Sequence, residues 1–369
     1  MTAEQNEDLR LLRDSVNKLL ERAGGIARAR RVRDERANWD TGVWGELAEA
    51  GVLGVATPEE AGGLGMGLPA AGVIAEEMGR VIAPEPVGPT IGLTIGLLHR
   101  LCPDAPLLES VIAGEATLAV AWQERGPRGV SDTIDCRFEN GVLTGSKDWV
   151  MGLADDAPIL VVAKSTDGLT LVQVAADASG LTKQATQQSD GSALTSLTFA
   201  STPAEVLAEG AKVAPALADA VADATALTAA ELVGVSETAF ELTLDYIKTR
   251  EQFDKPIGSF QVIQHRAVDM KIMQEVAQAA VREALAAMEN AATPQARSRQ
   301  ASRAKARACV ASQKITREAI QLHGAVGYTD EFDVGLLLNR ALVLSAWLGD
   351  GAYHRRRWLE LRDTEEVAQ

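Results

Sequence analysis

Residues 249 to 265 read Thr-Arg-Glu-Gln-Phe-Asp-Lys-Pro-Ile-Gly-Ser-Phe-Gln-Val-Ile-Gln-His, a polar break between two Ala-rich, helix-reading stretches. The break gathers Arg250, Gln252, Phe253, Gln261, Gln264 and His265. Arg offers a forked, permanently charged donor, Gln donates and accepts through its amide, and Phe covers an aromatic face. Together they suit a nucleotide that carries a pyrophosphate. The plainer alternative is that Arg250 and the glutamines cap and solvate a helix-helix connection.

Two long helical patterns must hold that break. Upstream, residues from about 213 return to an Ala-rich helical pattern. Downstream, Met270, Met273, Val276, Ala280 and Leu285 recur at near-helical intervals, Pro294 falls in a break, and another helix is expected from about 296. Four such helices joined by short connections read as an antiparallel bundle. The first element is amphipathic: Leu9, Leu12, Val16, Leu19 and Leu20 share one face while Asp8, Arg10, Arg13 and Lys18 mark the other. After a loop at Pro58 and Gly62-Gly63, a helix is expected from near Leu68, with Glu76 and Arg80 four apart on a solvent face. Residues 88 to 115 read as helix. Between 116 and 212 Thr, Val and Ser rise, and segments such as 116–122, 141–144, 159–163, 169–174 and 194–199 are strand-length and β-rich. The expected class is α+β, mainly α, with an N-terminal helical domain (1–115), a middle β-domain (116–212) and a C-terminal bundle (213–369).

At 369 residues, 46% apolar and 24% charged, the chain can bury a large core over two or three subdomains. Its net charge of −15 argues against nucleic acid and anionic membrane surfaces as partners. Cys102, Cys136 and Cys309 are too few and too scattered for a disulfide framework or a metal site. No apolar run approaches the ~20 residues of a membrane span, and the N-terminus lacks a signal core, so a cytoplasmic compartment is expected. The Gly-rich loop near Gly62 is no P-loop, having neither a preceding strand nor a following Lys-Ser or Lys-Thr.

Four stretches together carry a resemblance. The break at 249–265 is similar to the flavin-contacting turn of acyl-CoA dehydrogenases, R-x-x-F-G-x-x-I-x-x-F-Q followed by Q-H. Thr57-Pro-Glu-Glu-Ala-Gly-Gly-Leu-Gly65, Glu76-Glu-Met-Gly-Arg80 and Gln321-Leu-His-Gly-Ala-Val-Gly-Tyr328 match further signatures of that family, in order, across almost the whole chain. The resemblance implies FAD between the middle β-domain and the bundle, with a neighbouring subunit at its adenosine end. It places Arg250, Gln252 and Phe253 at the pyrophosphate and adenine, with Gln261 in the F-Q step, where helix capping is an equal alternative. Gln321 and Gly324 match the partner-side turn Q-x-x-G-G-x-G, whose second glycine is Ala325 here. Trp149, from Gly145-Ser-Lys-Asp-Trp149, becomes a wall of the flavin ring, against the alternative of a core Trp. Where the family has T-E-P-G-x-G-S-D this chain has Gln123-Glu-Arg-Gly-Pro-Arg-Gly-Val-Ser-Asp132. Gln123 then faces a flavin carbonyl and Ser131 the acyl-CoA.

The implied reaction removes a proton α to a thioester while a hydride leaves the β carbon for flavin N5, which needs a carboxylate base in a dry pocket. One slot for that base falls on Leu348 and the other on Ala224; neither can accept a proton. Asp223, Glu231 and Asp350 lie near the slots, displaced by steps that rotate a helical side chain away. His265 and His323 read as structural hydrogen-bonders. The cluster Tyr353-His-Arg-Arg-Arg357 reads either as a site for a CoA phosphate or as a solvated helix end. The readings left open are an active acyl-CoA dehydrogenase with a relocated base, a catalytically incomplete subunit completing a partner's FAD site in a two-plus-two heterotetramer, and a flavin oxidase or monooxygenase. Acyl-CoA, an electron-transfer flavoprotein or similar acceptor, and a homo- or hetero-tetramer are the implied partners.

Overall fold

The computed structural model describes residues 3–126, 129–130, 133–291 and 293–367. Helices come first: α1 (Ala3–Arg22), α2 (Gly25–Glu35), α3 (Thr41–Glu49), α4 (Gly67–Arg80), α5 (Val87–Pro89), a π-helical turn (Thr90–Ile95), α6 (Gly96–Leu101) and α7 (Pro106–Ile112). Strands follow: β1 (Ala119–Ala121), β2 (Arg125–Gly126), β3 (Gly129–Val130), β4 (Arg137–Glu139), β5 (Val142–Met151), β6 (Ile159–Ser165), β7 (Gly168–Val174), β8 (Leu181–Gln187), β9 (Ala193–Pro203) and β10 (Glu205–Glu209). The C-terminal part holds α8 (Val213–Thr249), the short strands β11 (Glu251–Gln252) and β12 (Lys255–Pro256), α9 (Gln261–Glu289), α10 (Pro294–His323), α11 (Val334–Ala346) and α12 (Gly351–Val367). This is the α+β, mainly helical class that the sequence implies. Two compact units divide the chain, one of Met1–Glu35, Leu68–Ala83 and Thr225–Gln369, the other of Arg36–Gly67 and Pro84–Ala224.

The second unit is built on a mixed sheet ordered β10-β7-β6-β4-β5-β9-β8, with β1 joined in parallel to β6. Ile159 to Ala163 of β6 are all buried, so this central strand reads as a continuous apolar run rather than an alternation. The edge strand β8 instead shows water a polar face including Lys183, which discourages pairing with another sheet. Leu143, Val161, Val172, Leu197 and Phe199 fill the core beneath. Residues 88 to 115 are not one helix. Pro103 ends the first part, and the π-helical turn widens it where a Cβ on Gly92 would stand 2.6 Å from the backbone of Ala224 on α8.

In the first unit, α4 and α8 cross with their backbones in contact. A Cβ on Gly234 would lie 1.9 Å from the Glu76 carbonyl oxygen, and one on Gly79 would lie 2.1 Å from that of Glu231. Only glycine allows that approach. The close crossing overturns the expectation of a solvated Glu76-Arg80 pair: Glu76 and Glu77 are 1% and 2% exposed. Glu76 accepts from Arg13 at 2.5 Å and Arg282 at 3.2 Å, and Glu77 from Arg13 at 2.7 Å. Arg80 turns instead to Glu237 at 2.9 Å and Glu241 at 2.8 Å. Small residues on several faces of α4 bury most of the helix, and the carboxylates go in with their partners. Pro294 is not in the break before α10 but opens the helix, where its missing N–H costs nothing, with Thr293 capping the Ala296 N–H at 3.1 Å. Among the described residues no helix is long and apolar enough to cross a membrane, and no cluster of three metal-ligating side chains occurs.

Candidate cofactor site

The break between α8 and α9 is a β-hairpin. Glu251 pairs with Pro256 and Gln252 with Lys255, leaving Phe253 and Asp254 as a two-residue loop, both left-handed at φ 56° and 62°. That is the geometry of a type I′ turn, which matches strand twist but favours Gly and Asn. Asp254 stands where the family pattern has glycine. The turn throws Phe253 outward, 86% exposed, its ring edge-on to Phe260 with the ring centres 6.1 Å apart. Arg250 is exposed, and among the described residues no side chain pairs with its guanidinium. Gln252 spends its amide on the Glu251 carbonyl at 2.8 Å, and Gln264 on that of Gly258 at 3.0 Å. Gln261 opens α9, exposed, and gives the helix no side-chain cap; His265 is exposed beside it.

Gln321, Gly324 and Ala325 are also exposed, at the end of α10 and in the short 3₁₀ turn that follows. His323, within that turn, is buried, its Nδ1 2.7 Å from the Ala319 carbonyl and its ring stacked on Tyr246 at 4.3 Å. Burial pushes its pKa below the ordinary histidine value, against the pull of the Ala319 carbonyl. The turn is tied to α2 by Arg33 on Asp330 at 2.8 Å and Arg30 on Asp333 at 2.7 Å. The Arg33 hydrogen bond draws the Asp330 carboxyl down to about 2.

In the other unit, Trp149 sits on a bulge. The β5-β9 register slips between Lys147, paired with Leu197, and Val150, paired with Thr195, and Trp149 takes φ 57°. A bulky residue in the left-handed region is strained, and bulges re-aim side chains. Trp149 is half-buried. Below it, Lys147 is fully buried and donates to Glu124 at 2.6 Å and to the Trp122 carbonyl at 3.2 Å. Desolvation lowers the lysine's pKa against the pull of that carboxylate. Glu124 also accepts from the Asp135 and Cys136 N–H groups at 2.7 and 3.0 Å, which pins both ends of the intervening loop. Gln123 is buried and its carbonyl accepts from the Asp148 N–H at 2.9 Å. Ser131 lies outside the described residues.

Neither base slot holds an acid, and each nearby carboxylate has another partner. Ala224 is fully buried beneath Gly92. Asp223 binds Arg100 at 2.7 Å. Glu231, 6% exposed, accepts from Arg340 Nε at 2.8 Å and Nη2 at 2.5 Å through one oxygen. Asp350 is exposed and caps α12 by accepting the Tyr353 N–H at 2.7 Å. Leu348 is 7% exposed on a left-handed backbone at φ 60°.

The turn around Leu348 is held by Lys305, to which the sequence assigned no role, and by His354, which it placed in the basic cluster 353–357. Lys305, 0% exposed, donates to the carbonyls of Leu344 at 2.5 Å and Trp347 at 2.9 Å. His354 is buried, with Nε2 3.0 Å from the Leu348 carbonyl and Nδ1 3.2 Å from the Ser302 hydroxyl. A carbonyl only accepts, so Nε2 carries the proton and Nδ1 accepts from Ser302. Burial, with Lys305 next, pushes His354 down to about 3, so the ring is neutral. His354 therefore belongs neither to a phosphate site nor to a solvated helix end; Arg355 and Arg356 beside it are exposed. Lys305 and Arg340 left a signal in the sequence, each a lone cation on a small or apolar helical stripe.

Sequence models of the acyl-CoA dehydrogenase N-terminal domain and C-terminal domain match residues 6–104 and 217–360. The acyl-CoA dehydrogenase IpdE2 of Mycobacterium tuberculosis is 30% identical over 338 residues, 91% of each chain. Among solved structures, a variant of the Tcur3481-Tcur3483 steroid ACAD superposes with a TM-score of 0.88 at 30% identity, over 99% of this chain and 100% of that one. A glutaryl-CoA dehydrogenase from Mycobacterium smegmatis in complex with FADH2 shares the fold at 20% identity and a TM-score of 0.83, over 95% of this chain and 93% of that one. The chain belongs to the acyl-CoA dehydrogenase family, a family of FAD-dependent oxidoreductases of lipid β-oxidation.

The residues present fit FAD. The hairpin leaves the Arg250 guanidinium and one face of an exposed aromatic ring, Phe253, open to solvent, as a diphosphate and a purine would need. In the other unit, the half-buried Trp149 keeps part of its ring exposed, as a wall beside a flavin ring would need.

Proposed function

We propose that this chain is an acyl-CoA dehydrogenase subunit that completes an FAD site with a second, homologous chain and does not itself supply the base. The observation that carries this reading is the state of the base slots: Leu348 is buried in one, Ala224 is wedged against Gly92 in the other, and Asp223, Glu231 and Asp350 are bound elsewhere. In this reading Arg250 holds the pyrophosphate, Gln252 and Phe253 the adenosine end, and Gln321 with Gly324 approach from across the subunit contact. Trp149 walls the ring, and Gln123 lies beside it. FAD, when bound, accepts the hydride from the β carbon of an acyl-CoA, and the homologous chain takes the α proton. The steroid ACAD named for two components supports both a heteromeric assembly and a ring-bearing acyl group. An electron-transfer flavoprotein is the acceptor in this reading.

The test is to purify the chain alone and co-expressed with a homologue carrying Glu in its base slot, then record flavin content and bleaching by acyl-CoA. Flavin and bleaching only in the pair are expected. Bleaching by the chain alone sinks the proposal. In the pair, Arg250→Ala is expected to weaken FAD retention by about 1.5–3 kcal/mol, the worth of one charge-assisted contact, read as a rise in the FAD dissociation constant. Leu348→Glu is expected to leave turnover of the pair unchanged, because the proton is removed on the other chain. New turnover from the Leu348→Glu chain on its own would show that this pocket takes substrate.

A further inference from the structure

The bulge that carries Trp149 also fixes a charge. Asp148, the other residue of the bulge, accepts the Ser196 hydroxyl at 2.7 Å and an Arg125 N–H at 3.1 Å through one oxygen, Oδ1. The same Asp148 bonds through its N–H to the Gln123 carbonyl, so the strand bearing Arg125 is anchored two residues away. The outcome is that the Arg125 guanidinium carbon stands over the Trp149 ring, 5.6 Å from its centre. A cation within about 6 Å of an indole face is attracted by the ring quadrupole.

Stability does not account for this arrangement. The Arg125 side chain is 68% exposed, and an ion pair so close to water adds little to the fold. Trp149 meanwhile occupies a left-handed conformation that a tryptophan resists. One strained residue and one exposed ion pair together hold the cationic end of that pair at one aromatic face. Arg125 also occupies the position of the proline in T-E-P-G-x-G-S-D, so the charge is a departure of this chain.

We propose that Arg125 sets the reduction potential of the flavin walled by Trp149; this rests on the FAD reading given under Proposed function. Reduced flavin carries a negative charge that oxidised flavin lacks. A cation fixed at the wall of the ring therefore favours the reduced form and raises the potential, and charge near the ring is a lever by which proteins tune flavins. Asp148 acts through Arg125, as a positioning residue, by holding the guanidinium over the indole.

The experiment uses the flavin-loaded protein as it assembles, alone or with its homologue. Midpoint potentials are measured by dye equilibration for wild type, Arg125→Gln, Arg125→Lys and Trp149→Phe, together with the dissociation constant for oxidised FAD. Arg125→Gln is expected to lower the affinity for reduced relative to oxidised flavin about tenfold, a fall of about 30 mV for a two-electron couple. Oxidised FAD binding should stay as in wild type, and Arg125→Lys, which keeps the charge, should recover most of the shift. An unchanged potential in Arg125→Gln, with flavin retained, overturns the role of Arg125 and leaves the FAD reading intact. A wild type that binds no flavin in either state overturns both. A Trp149→Phe protein whose flavin spectrum and potential match wild type removes the wall, and the proposal with it.

Discussion

Replacing Arg340 by methionine is expected to destabilise the chain by about 3–5 kcal/mol, because Glu231 would be left as a buried charge without its cation. Both groups are under 10% exposed, and Nε and Nη2 of Arg340 converge on a single carboxylate oxygen. Methionine keeps much of the volume, so the loss reports the charge rather than a cavity. Removing both partners, as Glu231→Leu with Arg340→Met, should recover most of that loss, since the desolvation of two ions then disappears along with their attraction. Urea midpoints of the two single variants and the double variant close the cycle. A cost below about 1 kcal/mol for Arg340→Met would mean that Glu231 is not held by this pair and is available for proton transfer, which would reopen the question of the base.

What the sequence showed and hid follows from the range of the interactions. Helices α9 and α10, and the polar break before α9, were legible because their signals are local: apolar spacing, a proline, a cluster of polar residues. Strands β6 and β7 were legible for the same reason, falling on Ile159–Ala163 and Leu169–Val174 as apolar, β-branched runs, whereas the polar β8 and the short β4 and β10 left no such run. Burial of Glu76 was not legible, because Arg13 and Arg282, which neutralise it, stand 63 and 206 residues away. A Glu-Glu pair four residues before an Arg describes a solvent face until those partners are placed. Trp149 was readable as a motif, whereas its left-handed bulge depends on a register slip against β9 that no residue of β5 announces. The hairpin at Phe253-Asp254 was hidden by its residues, neither being glycine or asparagine. Phe253 is exposed on it and Leu348 is buried elsewhere, placements that no local pattern announces.

Lys305→Met is expected to abolish a gain in stability that the wild-type chain shows between pH 8 and 10.5. Lys305 is fully buried in α10, and its ammonium group bonds the carbonyls of Leu344 and Trp347 at the C-terminal end of α11, where helix carbonyls lack partners of their own. Burial lowers its pKa from 10.5 to about 8. The unfolded chain therefore holds a proton across that window which the folded chain has released, and stability rises with pH wherever the unfolded state binds more protons. Over the full window the gain is about 3 kcal/mol. The neutral amine still has two N–H groups, one for each carbonyl, so releasing the proton removes the cost of the buried charge without removing the hydrogen bonds. Groups that do not interact with Lys305 cancel when the stability of the Met variant is subtracted from that of wild type at each pH, and the neighbouring Cys309 thiol, which does, is replaced by Ala in both proteins. The difference should climb from pH 8 and level off above 10.5; a flat difference would mean that Lys305 titrates like a lysine in water. Because the same ammonium holds the Trp347 carbonyl beside Leu348, the Met variant should also exchange the amides of that turn faster at pH 7, which ties the clamp to the slot where the family's carboxylate would stand.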